Sequence, residues 1–198
     1  MDETLAISEP QKATRLTNTR TGYGLVARGL HWVMAIAILA MFGLGVWMRT
    51  LGYYHPWYNL APDIHRGIGI LLLLLVVLRL VWRFFNVAPD PAPGSRAERL
   101  IAAAVHAALY ILLIAMMIAG YLISTADGRP LDVFGLVSVP AVIESKGAER
   151  IAGLAHEYLA YALIALAALH ALAALKHHFI DRDGTLARMW RGPADDRC

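Results

Sequence analysis

Cysteine is all but missing from this chain, with Cys198 at its end the single example in 198 residues. A lone cysteine excludes an internal disulfide and the Cys-x-x-Cys-His motif that attaches a c-type haem covalently. Cys198 itself reads as incidental. Charge is scarce as well: 17% of residues are Asp, Glu, Lys or Arg, against 58% hydrophobic, and the mean hydropathy is +0.52. That balance places the chain in the membrane class. Residues 1–24 lack an apolar core and carry Asp2, Glu3, Glu9, Lys12, Arg15 and Arg20, which excludes a cleavable secretory signal. They read as a flexible cytoplasmic arm. Nothing in the chain points to nucleic acid, and it has no convincing repeat or low-complexity segment.

What remains is dominated by four apolar stretches. Leu25 to Met48 carries no charge from Gly29 onward, a run of 20 residues and enough to cross a hydrocarbon core about 30 Å thick. Pro62 to Phe85 is less clean, since Arg66, Arg79 and Arg83 leave only Gly67 to Leu78 uncharged. Arginines near helix ends snorkel to the interface, so its Leu/Val-rich centre still reads as a span. Leu100 to Ser124 is the third stretch and Ile151 to His178 the fourth. Gly52, Pro56 and Pro62 break the chain after the first span; Pro89, Pro91, Pro93 and Gly94 break it after the second. The third connection, Ala126 to Arg150, is the longest, and its apolar Phe134-Gly-Leu-Val is expected to dip against the helices. Short connections favour antiparallel neighbours. The expected fold is therefore all-α, an integral membrane up-down four-helix bundle over residues 25–180, with a cytoplasmic tail at 181–198.

Lysine and arginine set an expected orientation. The N-terminal arm (Lys12, Arg15, Arg20, Arg28), the second connection with its flanks (Arg79, Arg83, Arg96, Arg99) and the tail (Lys176, Arg182, Arg188, Arg191, Arg197) hold 13 of the 18. Arg49, Arg66, Arg129, Lys146 and Arg150 lie on the other side. Both termini are thus expected in the cytoplasm, and Trp32, Trp47, Trp57, Trp82 and Trp190 fit an interfacial belt.

A histidine inside a spanning segment marks a functional site by default. His156 and His170 are fourteen residues apart, which on a helix means roughly 21 Å in depth and about 40° in azimuth. One helix therefore offers an imidazole near each membrane surface, both on one face. His31 falls at the cytoplasmic depth of His170, and His65 at the outer depth of His156. Paired imidazoles from facing helices at two depths are what two six-coordinate b-type haems require. Small residues at ring level agree with this: Gly45 lies fourteen residues after His31, and Gly67 and Gly69 closely follow His65. Glycines also line ordinary transmembrane interfaces. His106 competes for the cytoplasmic level, with Gly120 fourteen residues later, and spacing alone leaves open which two of His31, His106 and His170 bind iron. A hydrogen bond to a propionate or a quinone is the other role for His106. Arg79, fourteen residues after His65, falls at the same level, placed for a haem propionate or for snorkelling. His177, His178 and His55 read as surface histidines and Glu157 as water-facing.

These residues resemble the bacterial cytochrome b561 family, which includes di-haem superoxide oxidases. The likeness lies in Gly29-Leu-His31-Trp32, Ile64-His65 with Gly69, His106 with Tyr110, Phe134-Gly135-Leu136 with Pro140, His156-Glu157, and the run from His170 to Phe179. It extends from about Tyr23 to Trp190. The resemblance implies a four-helix fold, two haem b groups, electron transfer, a bacterial inner membrane location, and iron ligands at His31, His65, His156 and His170. His106 becomes a matched non-ligand, and the arm before Tyr23 is longer than the family pattern.

The leading expectation is a membrane electron-transfer cytochrome or oxidoreductase linked to quinone. Superoxide as the periplasmic-side donor and ubiquinone as the acceptor come from the resemblance. Arg66, Arg129, Lys146 and Arg150 form a local basic patch on that side, although Asp63, Asp127, Asp132, Glu144, Glu149 and Glu157 outnumber the basic residues there. The alternative is a cytochrome b subunit that docks to a separate dehydrogenase or hydrogenase. A histidine-lined metal-ion carrier is disfavoured, because a transport path wants carboxylates and the spans hold almost none. Acid acetone should extract two equivalents of haem per chain. One equivalent, or none, would end the di-haem expectation.

Overall fold

The computed structural model describes residues 16–91, 93–145 and 147–191. Most of the N-terminal arm, Lys146, Arg197 and Cys198 lie outside the described residues. Four helices carry the chain: α1 (Leu25–Met48), α2 (Leu60–Phe85), α3 (Arg96–Thr125) and α4 (Ala148–Lys176). Each is long and apolar enough to cross a membrane. α3 begins ahead of its apolar run because Ser95 accepts from the Glu98 N–H while the Glu98 carboxylate accepts from the Ser95 N–H. That capping box satisfies two backbone donors that the helix itself cannot. α2 begins before Pro62, which sits in the first turn, where its missing N–H breaks no intrahelical bond.

The helices run up and down, with α1 packed on α2, α2 on α3 and α3 most extensively on α4. The fourth side is thin, since α4 and α1 meet only sparsely. Met34, Leu72, Val76, Leu113, Met117 and Leu163 form one buried apolar layer at mid-bundle. Much of the outward surface is exposed Leu, Ile and Val, which a hydrocarbon solvent favours.

One end of the bundle carries a small hairpin, β1 (Leu131–Val133) paired antiparallel with β2 (Val137–Val139). Phe134 and Gly135 turn it with φ of 56° and 71°. The Phe134 ring lies against Gly67 of α2, where a Cβ would come within 2.5 Å of it. Of the expected apolar dip, Phe134 therefore docks while Leu136 and Val137 stay exposed. The Tyr121 hydroxyl bonds the Pro140 carbonyl at 2.6 Å and accepts from the Val142 N–H at 2.9 Å. These bonds hold the loop to α3.

The other, terminal end is more ordered than the sequence suggested. Residues 16–24 form a turn against the α2–α3 connection, with Asn18 Nδ2 donating to the Val87 carbonyl at 3.0 Å and the Asp90 N–H to that of Arg20 at 2.8 Å. α4 runs on through a π-helical turn, His177–Asp181, and Arg182 at φ 53° reverses the chain into α5 (Thr185–Trp190). α5 lies across this end. Trp32 Nε1 donates to the Met189 carbonyl at 3.0 Å, Arg28 to that of Trp190 at 2.7 Å, and Arg188 to that of Asp90 at 2.8 Å. His177, expected to be a surface residue, donates from Nδ1 to Asp183 at 2.7 Å. Burial opposes charge on Asp183, but hydrogen bonds from Thr185 and His177 outweigh it and hold the carboxyl below the usual carboxylate range.

A Cβ on Gly24 would lie 2.4 Å from the Leu16 and Thr17 backbone. Gly24→Ala should displace that turn at a cost of about 1–3 kcal/mol. The expected readout is a lower unfolding temperature and faster proteolysis ahead of Tyr23.

Candidate functional site

Each end of the bundle brings two imidazoles together. At the hairpin end, His65 of α2 and His156 of α4 have ring centroids 6.1 Å apart and planes at 76°. At the terminal end, His31 of α1 and His170 of α4 are 6.4 Å apart, again at 76°. A metal ion between two imidazoles separates their centroids by about 6.2 Å, from two bonds of about 2 Å plus roughly 1.1 Å within each ring. His106 reaches the terminal-end level too, but its ring is 5.0 Å from that of His170. That is too close for an ion to sit between them in the same way.

A cavity of about 790 Å³ surrounds the hairpin-end pair and is walled by all four helices. Glycines stand opposite both imidazoles. A Cβ on Gly45 would lie 3.2 Å from His65 Cε1, and one on Gly120 would lie 3.0 Å from His156 Cε1. Gly69 also borders the cavity, whereas Gly67 receives Phe134 instead. His156 Nδ1 is 2.8 Å from the Met116 carbonyl oxygen. Only the ring can donate in that bond, so Nε2 keeps its lone pair for a metal. Among the described residues His65 Nδ1 is buried with no hydrogen-bond partner, the kind of unmet polar atom that a bound group commonly explains. Ile38, Met41, Leu72 and Leu163 make the deep wall apolar, and polar groups gather at the mouth. The donors, the flanking gaps and the apolar wall suit a flat, non-covalently held metal macrocycle.

Several charges at the hairpin end are paired. Glu157 forms an ion pair with Arg49 across the α1–α4 side instead of facing water alone, and Arg66 pairs with Asp63. Arg129 pairs with Asp127 at 2.5 Å. At the terminal end Arg79 turns into the bundle. Its Nε donates to Tyr110 Oη at 2.9 Å, and its two terminal nitrogens to the Ala27 carbonyl at 2.8 Å and His31 Nδ1 at 3.3 Å. All three partners are neutral, and no carboxylate pairs with Arg79 among the described residues. A half-buried cation without a counter-charge is costly, which makes this a place for an anionic group. The sequence placed Arg79 at this level but did not reveal Tyr110 as its partner. The Arg49–Glu157 pair was not foreseen either, because it depends on how far each helix is rotated about its axis.

Comparison with known proteins is extensive. Residues 22–192 match the family described as prokaryotic cytochrome b561. Cytochrome b561 homolog 2 of Escherichia coli (strain K12) is 50% identical over 175 residues, covering 87% of this chain and 93% of that protein. Probable superoxide oxidase CybB of Yersinia pestis is 30% identical, covering 84% and 94%. Cytochrome b562 of Cereibacter sphaeroides is 27% identical, covering 86% and 96%. A match running from the turn before α1 to the end of α5, across the whole histidine-bearing bundle, shows that this chain belongs to the prokaryotic cytochrome b561 family, bacterial membrane proteins that bind b-type haem and transfer electrons.

Proposed function

We propose that the chain holds two haem b groups and passes electrons between superoxide, arriving at the hairpin end, and ubiquinone in the bilayer. His65 and His156 are the ligands of one group, His31 and His170 of the other. The observation that carries this is the pair of ring separations, 6.1 and 6.4 Å, at the two depths where the sequence puts imidazoles. When bound, haem b supplies a one-electron couple. His31, His65, His156 and His170 would together hold the two groups, and the chemistry supplied would be electron exchange rather than substrate coordination. Arg79 provides a propionate partner. Its present bond to His31 Nδ1 requires that nitrogen to accept, so a carboxylate that draws the guanidinium away frees Nδ1 to carry the ring proton and Nε2 to bind metal.

The lysine and arginine bias puts the terminal end in the cytoplasm and the hairpin end in the periplasm. Superoxide as donor is supported by the name of the Yersinia pestis relative and by basic residues around the hairpin-end mouth. Pairing of Arg66 with Asp63 and of Arg129 with Asp127 cancels much of that field, so steering is local and weakens with salt.

Alanine at His65 or His156 should remove mainly the hairpin-end haem, and alanine at His31 or His170 mainly the other, by haem content and redox titration. His106→Ala should keep both; loss of the terminal-end haem in that variant would reassign the ligands. Superoxide generated in the presence of oxidised protein and excess ubiquinone should reduce haem rapidly, less so at high salt, and then yield quinol. Haem that stays oxidised would leave the protein as a subunit docking to a separate dehydrogenase or hydrogenase.

A further inference from the structure

We infer that His177, Asp181 and Asp183 form a binding site for a first-row divalent cation of the Zn²⁺ type, at the hinge between α4 and α5. Among the described residues this is the one place where three histidine or carboxylate side chains each bring a ligand atom within 4.8 Å of the others. None of the three belongs to the paired imidazoles inside the bundle. The backbone makes the grouping. His177 and Asp181 stand about one turn apart at the two ends of the π-helical segment, and Arg182, at φ 53°, turns Asp183 back toward the same ring. A π-helical turn is rare and is found frequently at functional sites. His177 Nδ1 lies 3.1 Å from Asp181 Oδ2 and 2.7 Å from Asp183 Oδ2. Around a tetrahedral zinc ion with bonds of about 2.0–2.1 Å, neighbouring ligand atoms stand roughly 3.3 Å apart, so shifts of roughly half an ångström would seat an ion.

Charge and unmet polarity point the same way. The Asp183 side chain is only 7% exposed, and two carboxylates this close repel unless a cation lies between them. The cation at hand is Lys176, whose Nζ is 2.6 Å from Asp181 Oδ2. Its side chain is 51% exposed and free to swing into water, whereas a divalent ion neutralises both acids at once. The Thr185 N–H donates to Asp183 Oδ1 at 2.9 Å, which leaves Oδ2 turned to the imidazole. Thr185 Oγ1 is itself buried with no hydrogen-bond partner among the described residues. A zinc ion with three protein ligands keeps a fourth position for water, and that water gives the hydroxyl a partner. One imidazole with two carboxylates selects zinc and its neighbours over Mg²⁺ and Ca²⁺, which take oxygen ligands. The ring binds through the Nδ1 lone pair, so the proton now on Nδ1 passes to Nε2, or to water if Nε2 already carries one. An ion held here ties the end of α4 to the start of α5. Because α5 accepts from Trp32 and Arg28 through its Met189 and Trp190 carbonyls, occupancy fastens the cover over the terminal end of the bundle.

The test uses untagged, full-length holoprotein in phospholipid nanodiscs, stripped with EDTA and titrated with Zn²⁺ against a chromophoric chelator. One ion per chain should bind. Asp183→Asn keeps an oxygen for the Thr185 N–H but removes a ligand charge, and should weaken binding about tenfold or more. Lys176→Gln removes the competing cation and should tighten it about threefold or more. His178→Ala, the neighbouring imidazole, should change nothing. Zn²⁺ should also slow tryptic cleavage at Arg182 and Arg188 in the wild type but not in Asp183→Asn. Should Asp183→Asn disturb α5, Lys176→Gln decides. No binding by the wild type, equal affinity in wild type and Lys176→Gln, or a loss confined to His178→Ala would overturn the site. Binding that leaves cleavage unchanged would overturn the tie to α5.

Discussion

An imidazole in hydrocarbon has to be given something to bind, and this bundle is arranged around that requirement. A polar ring placed among apolar helices costs several kcal/mol unless a donor, acceptor or metal meets it. His156 meets the need at one nitrogen through the Met116 carbonyl, and His65 Nδ1 is unmet among the described residues. At the hairpin-end level Gly45 and Gly120 make room for the rings of His65 and His156, and between the levels apolar side chains pack into the layer around Val76 and Leu163. Spacing, packing and composition all follow from keeping two polar sites in an apolar medium.

α4 is the shared element, since it supplies one histidine to each level. Fourteen residues is close to a whole number of helical turns, so a single helix serves both ends without twisting its functional face away. α1 and α2 contribute one histidine each, and their partner positions at the opposite level differ in kind. Gly45 on α1 makes room, whereas Arg79 on α2 brings charge. One repeat distance therefore yields two non-equivalent sites, the hairpin-end one roomy and rimmed by ion pairs, the terminal-end one crowded by His106, Tyr110 and Arg79.

Much of this was legible in the sequence because it depends on position along a helix. The spans, the depths of the histidines and the glycines fourteen residues from them are one-dimensional facts, and the structure puts Gly45 and Gly120 against the imidazoles of His65 and His156. What depends on azimuth or on long-range return of the chain was not legible. The Arg49–Glu157 pair joins helices separated by most of the sequence. The Arg79–Tyr110 bond needs α2 and α3 in one rotational setting. α5 follows a stretch that reads as a polar tail, and only its contacts with Trp32, Arg28 and Asp90 make it a helix worth forming, since six residues are too few to be stable alone. The early start of α3 had a visible signal in Ser95 and Glu98 that the search for apolar runs passed over.

The buried layer of Met34, Leu72, Val76, Leu113, Met117 and Leu163 has a meaning beyond packing. Leu163 sits midway between His156 and His170 in sequence, so the layer separates the two levels with packed apolar side chains. An electron tunnels through such a medium. A hydrated ion does not, because stripping its water for a low-dielectric interior carries a large penalty. With a haem at each level, as proposed, the layer would pass an electron and hold back ions, so a redox protein could bridge a charged membrane without discharging it.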